Sequence, residues 1–211
     1  MLRRELLEHH GEHYDIPYSG PGATGLGKPL KLMARPLRAD VPIYLASMGP
    51  KSVELAFEIA DGWIPLFFQP ERAREIFPMS GARDGFDIAP SVPAVLLDDV
   101  QAARDALKAY YALYIGGMGA RGKNFYNDLV CQYGFEKEAK EIQDLYLSGN
   151  KRDAEKVVPL ELLELGNLVG PASYVKERIA AFAEAGVTDL QVLPVSDDPP
   201  ATVRQLKELV G

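Results

Sequence analysis

Apolar residues in this chain fall into two alternating patterns: short uninterrupted runs, and longer stretches with apolar positions three or four apart. The runs at 43–48 (IYLASM) and 63–68 (WIPLFF) lack polar alternation, as expected of parallel strands buried on both faces. Between them Gly49-Pro50 breaks the first run, and Val53, Ala56, Phe57 and Ala60 then recur at helical spacing until Asp61-Gly62 stops the helix. PERAREIF, 70–77, reads as a second helix with Pro70 near its first turn. A third strand is predicted at 91–99 (SVPAVLLDD), where Pro93 makes the first half an edge or an irregular entry, and a helix over 100–115 follows. Residues 123–168 read as further helices without an intervening strand, turning at Gly134, at Ser148-Gly149-Asn150 and at Gly166-Asn167. From Pro171 a strong helix runs to Gly186, a fourth strand covers 188–195, and a helix over 201–210 closes the chain.

Ahead of this regular part, Leu2, Leu6 and Leu7 among charges predict a short amphipathic helix over 2–9 that Gly11 terminates. The glycine- and proline-rich stretch 16–28 is then a long irregular connection, followed by a short apolar piece from Leu30 to Met33. Long connections of this kind are often functional.

Four strand–helix alternations joined by short turns predict an α/β fold with a parallel sheet and right-handed crossovers. Rossmann, flavodoxin-like and barrel folds all satisfy that description. A complete (β/α)8 TIM barrel takes roughly 250 residues and eight strands, so as a barrel this chain amounts to half of one. The expected organisation is a single domain over 1–211 with a helical insertion at 123–168.

Composition narrows the function classes. The chain is 47% hydrophobic and 25% charged, an ordinary globular balance. Its formal charge of −7 disfavours nucleic acid as a partner. No stretch approaches the roughly 20 apolar residues of a membrane span, and MLRRELLEHHGEH lacks the apolar segment of a secretory signal. Cys131, the single cysteine, forms no intramolecular disulfide and no cysteine-rich metal site, which suits a reducing interior; a cytoplasmic protein is expected.

The best local chemistry signal is the strand ending in Ser47-Met48-Gly49-Pro50-Lys51 and running into a helix. Free N–H groups and the positive end of the helix dipole, with a glycine that admits close approach, make a cradle for an anion such as a phosphate. The structural alternative is a plain strand-to-helix turn with proline at the first helical position. Gly117-Met118-Gly119-Ala120-Arg121-Gly122 satisfies G-x-G-x-x-G, but that fingerprint has mechanical meaning only between a strand and a helix. Here a helix precedes it, so a dinucleotide site is rejected. What remains is a glycine-rich loop with Arg121 and Lys123 beside Phe125 and Tyr126, either a holder for an anionic tail or a helix-to-helix connection. His9 and His13 form an i,i+4 pair next to His10, yet with only Glu12 between them a frayed helix end explains them and no metal site is expected. Cys131 is read as packed rather than nucleophilic. Trp63, Phe67 and Phe68 suit the core; in a barrel, Phe68, Gln69 and the segment Pro194–Asp197 would border the active end.

PIYLASMGPKSVELAFEIADGWIP (42–65), VGPASYVKERIAAFAEAGVTDLQVLPV (169–195) and YIGGMGARGKNFYNDLVCQYGF (114–135) resemble segments of the bacterial luciferase-like superfamily. The third is similar to its coenzyme F420-dependent branch, which includes the methylenetetrahydromethanopterin reductase-like oxidoreductases. The resemblance implies a partial (β/α)8 TIM barrel, luciferase-like, with about the last four βα units. It also implies a flavin-type cofactor at the carboxyl ends of the strands and hydride transfer to or from a small organic substrate. It maps the cofactor phosphate onto Ser47, Met48, Gly49 and Pro50, while Arg121 and Lys123 suit the longer anionic tail of F420. FMN, in a monooxygenase of the same superfamily, is the alternative cofactor. A non-catalytic half-barrel serving binding or assembly is the alternative function. The family's first four βα units, which supply its catalytic residues, have no counterpart in this sequence, so no catalytic residue is carried over. Two open strand edges predict a homo-oligomer or a complementary amino-terminal half as partner.

Overall fold

The computed structural model describes residues 2–210 apart from 4, 29–32, 78 and 82. The apolar piece predicted at Leu30–Met33 therefore lies largely outside the described residues. The chain forms two compact units, Met1–Pro42 and Ile43–Gly211.

In the first unit, the predicted helix over 2–9 is absent from the described residues. Strand β1 (His9–His10) instead pairs antiparallel with β2 (Asp15–Ile16), with His9 opposite Ile16. Eight residues are too few to sustain a helix without a packed partner. The Gly11 amide meets the Tyr14 carbonyl at 2.9 Å and reverses the chain. The His10 ring contacts the Asp15 carboxylate, which also accepts from Ser19 Oγ at 2.8 Å, so the histidines sit on a hairpin rather than on one helix face.

The second unit carries the parallel strands. β3 (Tyr44–Leu45) leads into α1 (Pro50–Ile59), and β4 (Gly62–Trp63) into a short α2 (Ala73–Ile76). β5 (Asp87–Ile88) and β6 (Ser91–Leu96) follow in quick succession, then α3 (Val100–Gly117). Four helices come next: α4 (Phe125–Gln132), α5 (Glu136–Leu147), α6 (Lys151–Val157) and α7 (Leu160–Leu165). β7 (Leu168–Gly170), α8 (Ala172–Glu184), β8 (Gln191–Pro194) and α9 (Pro199–Val210) complete the chain. β3, β4 and β5 lie side by side in parallel, and a bridge between Leu66 and Ser91 extends this pairing to β6. β6 is also flanked by β8 on Ser91–Ala94 and by β7 on Ala94–Leu96, both parallel.

Local chemistry accounts for the helix boundaries. The Asp99 side chain accepts from Ala102 N at 3.1 Å and starts α3. At the far end of α8, Gly186 at φ 95° lets the Val187 amide reach back to the Phe182 carbonyl. The core is aromatic: Trp63, fully buried, meets Phe57, Phe68 and Phe77 edge-on at 5.7, 6.1 and 4.9 Å. Such pairs add about 0.5–1.5 kcal/mol each beyond area burial.

Two further expectations need correction. Ile43 is 59% and Tyr44 37% exposed, so the first run is not buried on both faces; β3 is an edge strand among the described residues. The segment from 123 does run as helices, but β7 begins inside its predicted end, because Leu168 pairs with Ala94 on the exit half of β6.

Candidate functional site

The carboxyl end of β3 delivers Ser47, Met48, Gly49 and Pro50 to the head of α1. Pro50 has no amide hydrogen, and the Ser52 and Val53 amides both turn back to the Gly49 carbonyl at 3.0 Å. Of the first-turn donors, those of Gly49 and Lys51 are left without a backbone acceptor among the described residues. A Cβ on Gly49 would meet only Ser52 Oγ, at 3.6 Å, so the position next to Gly49 is open. Ser47 Oγ is buried with no hydrogen-bond partner. Its backbone is held from behind, because Trp63 Nε1 donates to the Ser47 carbonyl at 2.8 Å. The unpaired Ser47 hydroxyl, two unpaired amides and the positive end of the helix dipole all lie at the junction of β3 and α1, groups of the kind that bind phosphate. The order of strand, Gly49-Pro50 and helix was legible in the sequence, whereas the orphan Ser47 hydroxyl and the Trp63 tether were not.

Next to it the β4 segment ends in an unusual turn. Phe67 has φ 55°, a left-handed conformation that bulky residues rarely adopt. The kink sends two consecutive phenylalanines into different packing groups. Phe68 stacks with Phe77 and Phe182 at 6.3 and 6.0 Å, while Phe67 lies flat on Tyr111 at 4.3 Å. Tyr110, Tyr114 and Tyr126 approach the Phe67 ring edge-on at 5.8–6.1 Å. Burial raises the Tyr110 and Tyr111 phenols well above the ordinary tyrosine range, so both stay protonated and neutral. Gln69 is 2% exposed and its Nε2 has no partner.

The glycine-rich segment has a mechanical explanation. A Cβ on Gly116 would sit 2.5 Å from Tyr146 Cβ, and one on Gly117 2.5 Å from Tyr146 Cε1, so both glycines let α3 and α5 approach. A Cβ on Gly119 would meet the Lys123 carbonyl at 2.4 Å, and Gly122 has φ 70°. Arg121 is engaged with Asp144 on α5 at 2.9 Å, and Lys140 reaches the same carboxylate at 2.7 Å. These bonds, Lys140 first, hold the Asp144 carboxyl below its usual range. Lys123 is exposed. The structure thus brings Ser47, Met48, Gly49 and Pro50 together and places Arg121 and Lys123 on a separate helix-to-helix loop. Cys131 is half-buried, and burial pushes its thiol up, away from nucleophilic character. No group of three His, Cys, Asp or Glu among the described residues is arranged to hold a metal. No helix among them is long and apolar enough to cross a membrane. An apolar groove lined by Ile179, Phe182, Val187, Val203, Leu206 and Lys207 lies between α8 and α9, and none of the cradle residues lines it.

Comparison with known proteins places this geometry in context. Residues 1–189 match the family described as luciferase-like monooxygenase. A Mycobacterium tuberculosis protein named "Putative coenzyme F420-dependent oxidoreductase" is 40% identical over 210 residues, covering 95% of this chain and 60% of that protein. The 5,10-methylenetetrahydromethanopterin reductase of Archaeoglobus fulgidus is 24% identical over 186 residues, covering 81% of this chain and 54% of the reductase. Among solved structures, coenzyme F420 dependent tetrahydromethanopterin reductase from Methanopyrus kandleri superposes with a TM-score of 0.74 at 22% identity, over 97% of this chain and 57% of that one. An F420-dependent secondary alcohol dehydrogenase gives 0.66 at 18% identity, over 99% of this chain and 57% of that one. The chain thus spans a little more than half the length of the proteins it matches, and it shares their α/β luciferase-like fold.

Proposed function

This chain belongs to the luciferase-like monooxygenase family, which it matches over residues 1–189, and from that premise we propose that it is part of a coenzyme F420-dependent oxidoreductase. On this reading it supplies about the last four βα units of a (β/α)8 barrel and the phosphate end of the cofactor site. The observation that carries the reading is the 40% identity, across 95% of this chain, to a relative named for F420 dependence. The cradle geometry agrees with it. The Gly49 and Lys51 amides and Ser47 Oγ hold the phosphate, Met48 and Pro50 shape the turn, and Trp63 fixes the Ser47 carbonyl so that the hydroxyl stays directed by the backbone. Arg121 and Lys123 receive the far anionic tail, which requires Arg121 to exchange Asp144 for the ligand. When bound, the deazaflavin supplies hydride transfer to or from a small organic substrate. The remaining strands are contributed by a complementary amino-terminal half or by a second copy, joined along the exposed edge of β3 and the outer side of β8.

The test is a fluorescence titration of the full chain with coenzyme F420 and, separately, with FMN, repeated on Gly49→Asp and Cys131→Ser. Gly49 has φ −75°, which any residue adopts, and an aspartate there caps α1 while its carboxylate occupies the phosphate position. Saturable F420 binding that Gly49→Asp abolishes and Cys131→Ser preserves is the expected result. Binding of FMN alone moves the chain to the monooxygenase reading, and binding of neither by a folded chain refutes the cradle.

A further inference from the structure

The kink at the end of β4 is held from a distant part of the chain. Phe67 keeps its left-handed φ of 55° while 3% exposed, so neither a glycine nor solvent relieves it. What satisfies the turn is one phenol. Tyr133, the residue capping the end of α4, donates its hydroxyl to the Phe67 carbonyl at 2.7 Å and accepts the Gln69 amide at 3.3 Å. It thereby takes the place of a neighbouring strand for the two backbone groups that the kink strips of a ladder partner. Arg72 locks the arrangement from the other side, donating to the carbonyls of Tyr133 at 3.1 Å and Gln132 at 3.4 Å. Burial keeps the Tyr133 phenol protonated through the whole working pH range. From the kink, contacts run without a gap to the cradle. Phe68, buried beyond the turn, packs edge-on against Trp63 at 6.1 Å, and the Trp63 indole holds the Ser47 carbonyl at 2.8 Å.

We propose that Tyr133 is a positioning residue whose hydroxyl sets the Phe67–Gln69 kink and, through Phe68 and Trp63, the placement of Ser47 at the mouth of α1. The inserted helices therefore tune the cofactor end of the sheet without touching the ligand. In its consequence for affinity the proposal rests on the cofactor reading given above; in its consequence for the kink it does not.

Tyr133→Phe, which keeps the ring and removes both hydrogen bonds, is the test, with Val130→Ala in the same helix as the control for lost packing. Three readouts apply: amide exchange at Gln69, the emission of Trp63, which is the only tryptophan, and the dissociation constant for coenzyme F420. Tyr133→Phe should remove Gln69 protection, shift Trp63 emission to the red and weaken F420 binding by up to about tenfold, since only part of what the two lost hydrogen bonds contribute reaches the cradle. Val130→Ala should lower stability while leaving all three near wild type. Wild-type exchange and emission in Tyr133→Phe, or the same changes in Val130→Ala, would overturn the proposal. If the unmodified chain binds no F420, the cofactor reading fails, and the Gln69 and Trp63 readouts still decide the role of Tyr133.

Discussion

Replacing Gly117 by alanine tests whether the glycine-rich segment serves helix packing or a ligand. Alanine in a helix is favoured over glycine by about 1 kcal/mol, so on propensity alone the substitution stabilises. Its Cβ, however, would lie 2.5 Å from Tyr146 Cε1 and 3.0 Å from Cδ1, about 1 Å inside a normal carbon–carbon contact. Overpacking of this size costs about 1–3 kcal/mol. The net expectation is a loss of about 0–2 kcal/mol, or up to several degrees in Tm for a chain of this length. Tyr146→Ala removes the colliding ring atoms, and in that background Gly117→Ala should stabilise by up to about 1 kcal/mol. Gly116 provides an internal contrast. Its Cβ would meet Tyr146 Cβ at 2.5 Å and the Ile142 carbonyl at 3.1 Å, atoms that Tyr146→Ala leaves in place, so Gly116→Ala should remain destabilising in both backgrounds. Urea unfolding followed by Trp63 fluorescence and by far-ultraviolet circular dichroism, at constant m, measures each corner of the cycle. The reasoning is refuted if Tyr146→Ala fails to reverse the sign at Gly117, or rescues Gly116 equally well. Loss of cofactor binding in Gly117→Ala at unchanged stability would mean that the loop acts on the ligand directly.

Three further outcomes are expected. Asn124, 2% exposed, accepts from the Tyr126 and Asn127 amides and donates to the Tyr114 and Ile115 carbonyls, so Asn124→Ala should cost about 2–3 kcal/mol in urea unfolding. Burial pushes the Glu71 carboxyl up, but its bonds from Arg178 outweigh this and hold it below the usual range. Because the folded value is depressed, its stabilisation is present above the ordinary glutamate pKa and lost as pH falls through the folded one. Glu71→Gln should flatten that acid limb and cost about 1–2 kcal/mol at pH 7, less than a fully buried pair would, since the Glu71 side chain is 42% exposed. Cys131, with its thiol raised by burial and by Asp128 and Glu136, should alkylate with iodoacetamide more slowly than free cysteine at pH 8, a difference that vanishes in urea.

Periodicity made the strand–helix alternation from 43 onward legible, because apolar spacing reports which face of an element is covered. The same chain grammar marked the candidate anion cradle, since strand, glycine, proline and helix are consecutive. It also showed that 117–122 follows a helix, where the dinucleotide fingerprint requires a strand. The resemblance carried by 42–65 and 169–195 identified the family before any geometry was considered.

Other features depended on residues far apart in sequence. Residues 5–8 are irregular chain leading into the hairpin at 9–16 rather than the predicted helix, because local amphipathicity is a weak preference without a packed partner. β7 was missed because three residues carry no period, and its existence depends on pairing with β6. Arg121 looked like a free cation until α5 brought Asp144 to it across 23 positions. The kink at Phe67 reads in the sequence as the end of an apolar strand. The hydroxyl that bonds its carbonyl, that of Tyr133, comes from 66 residues away. Spacing along a chain encodes which surfaces are apolar and where helices begin. Which side chain completes a buried turn, or neutralises a charge, is decided by the packing of distant segments.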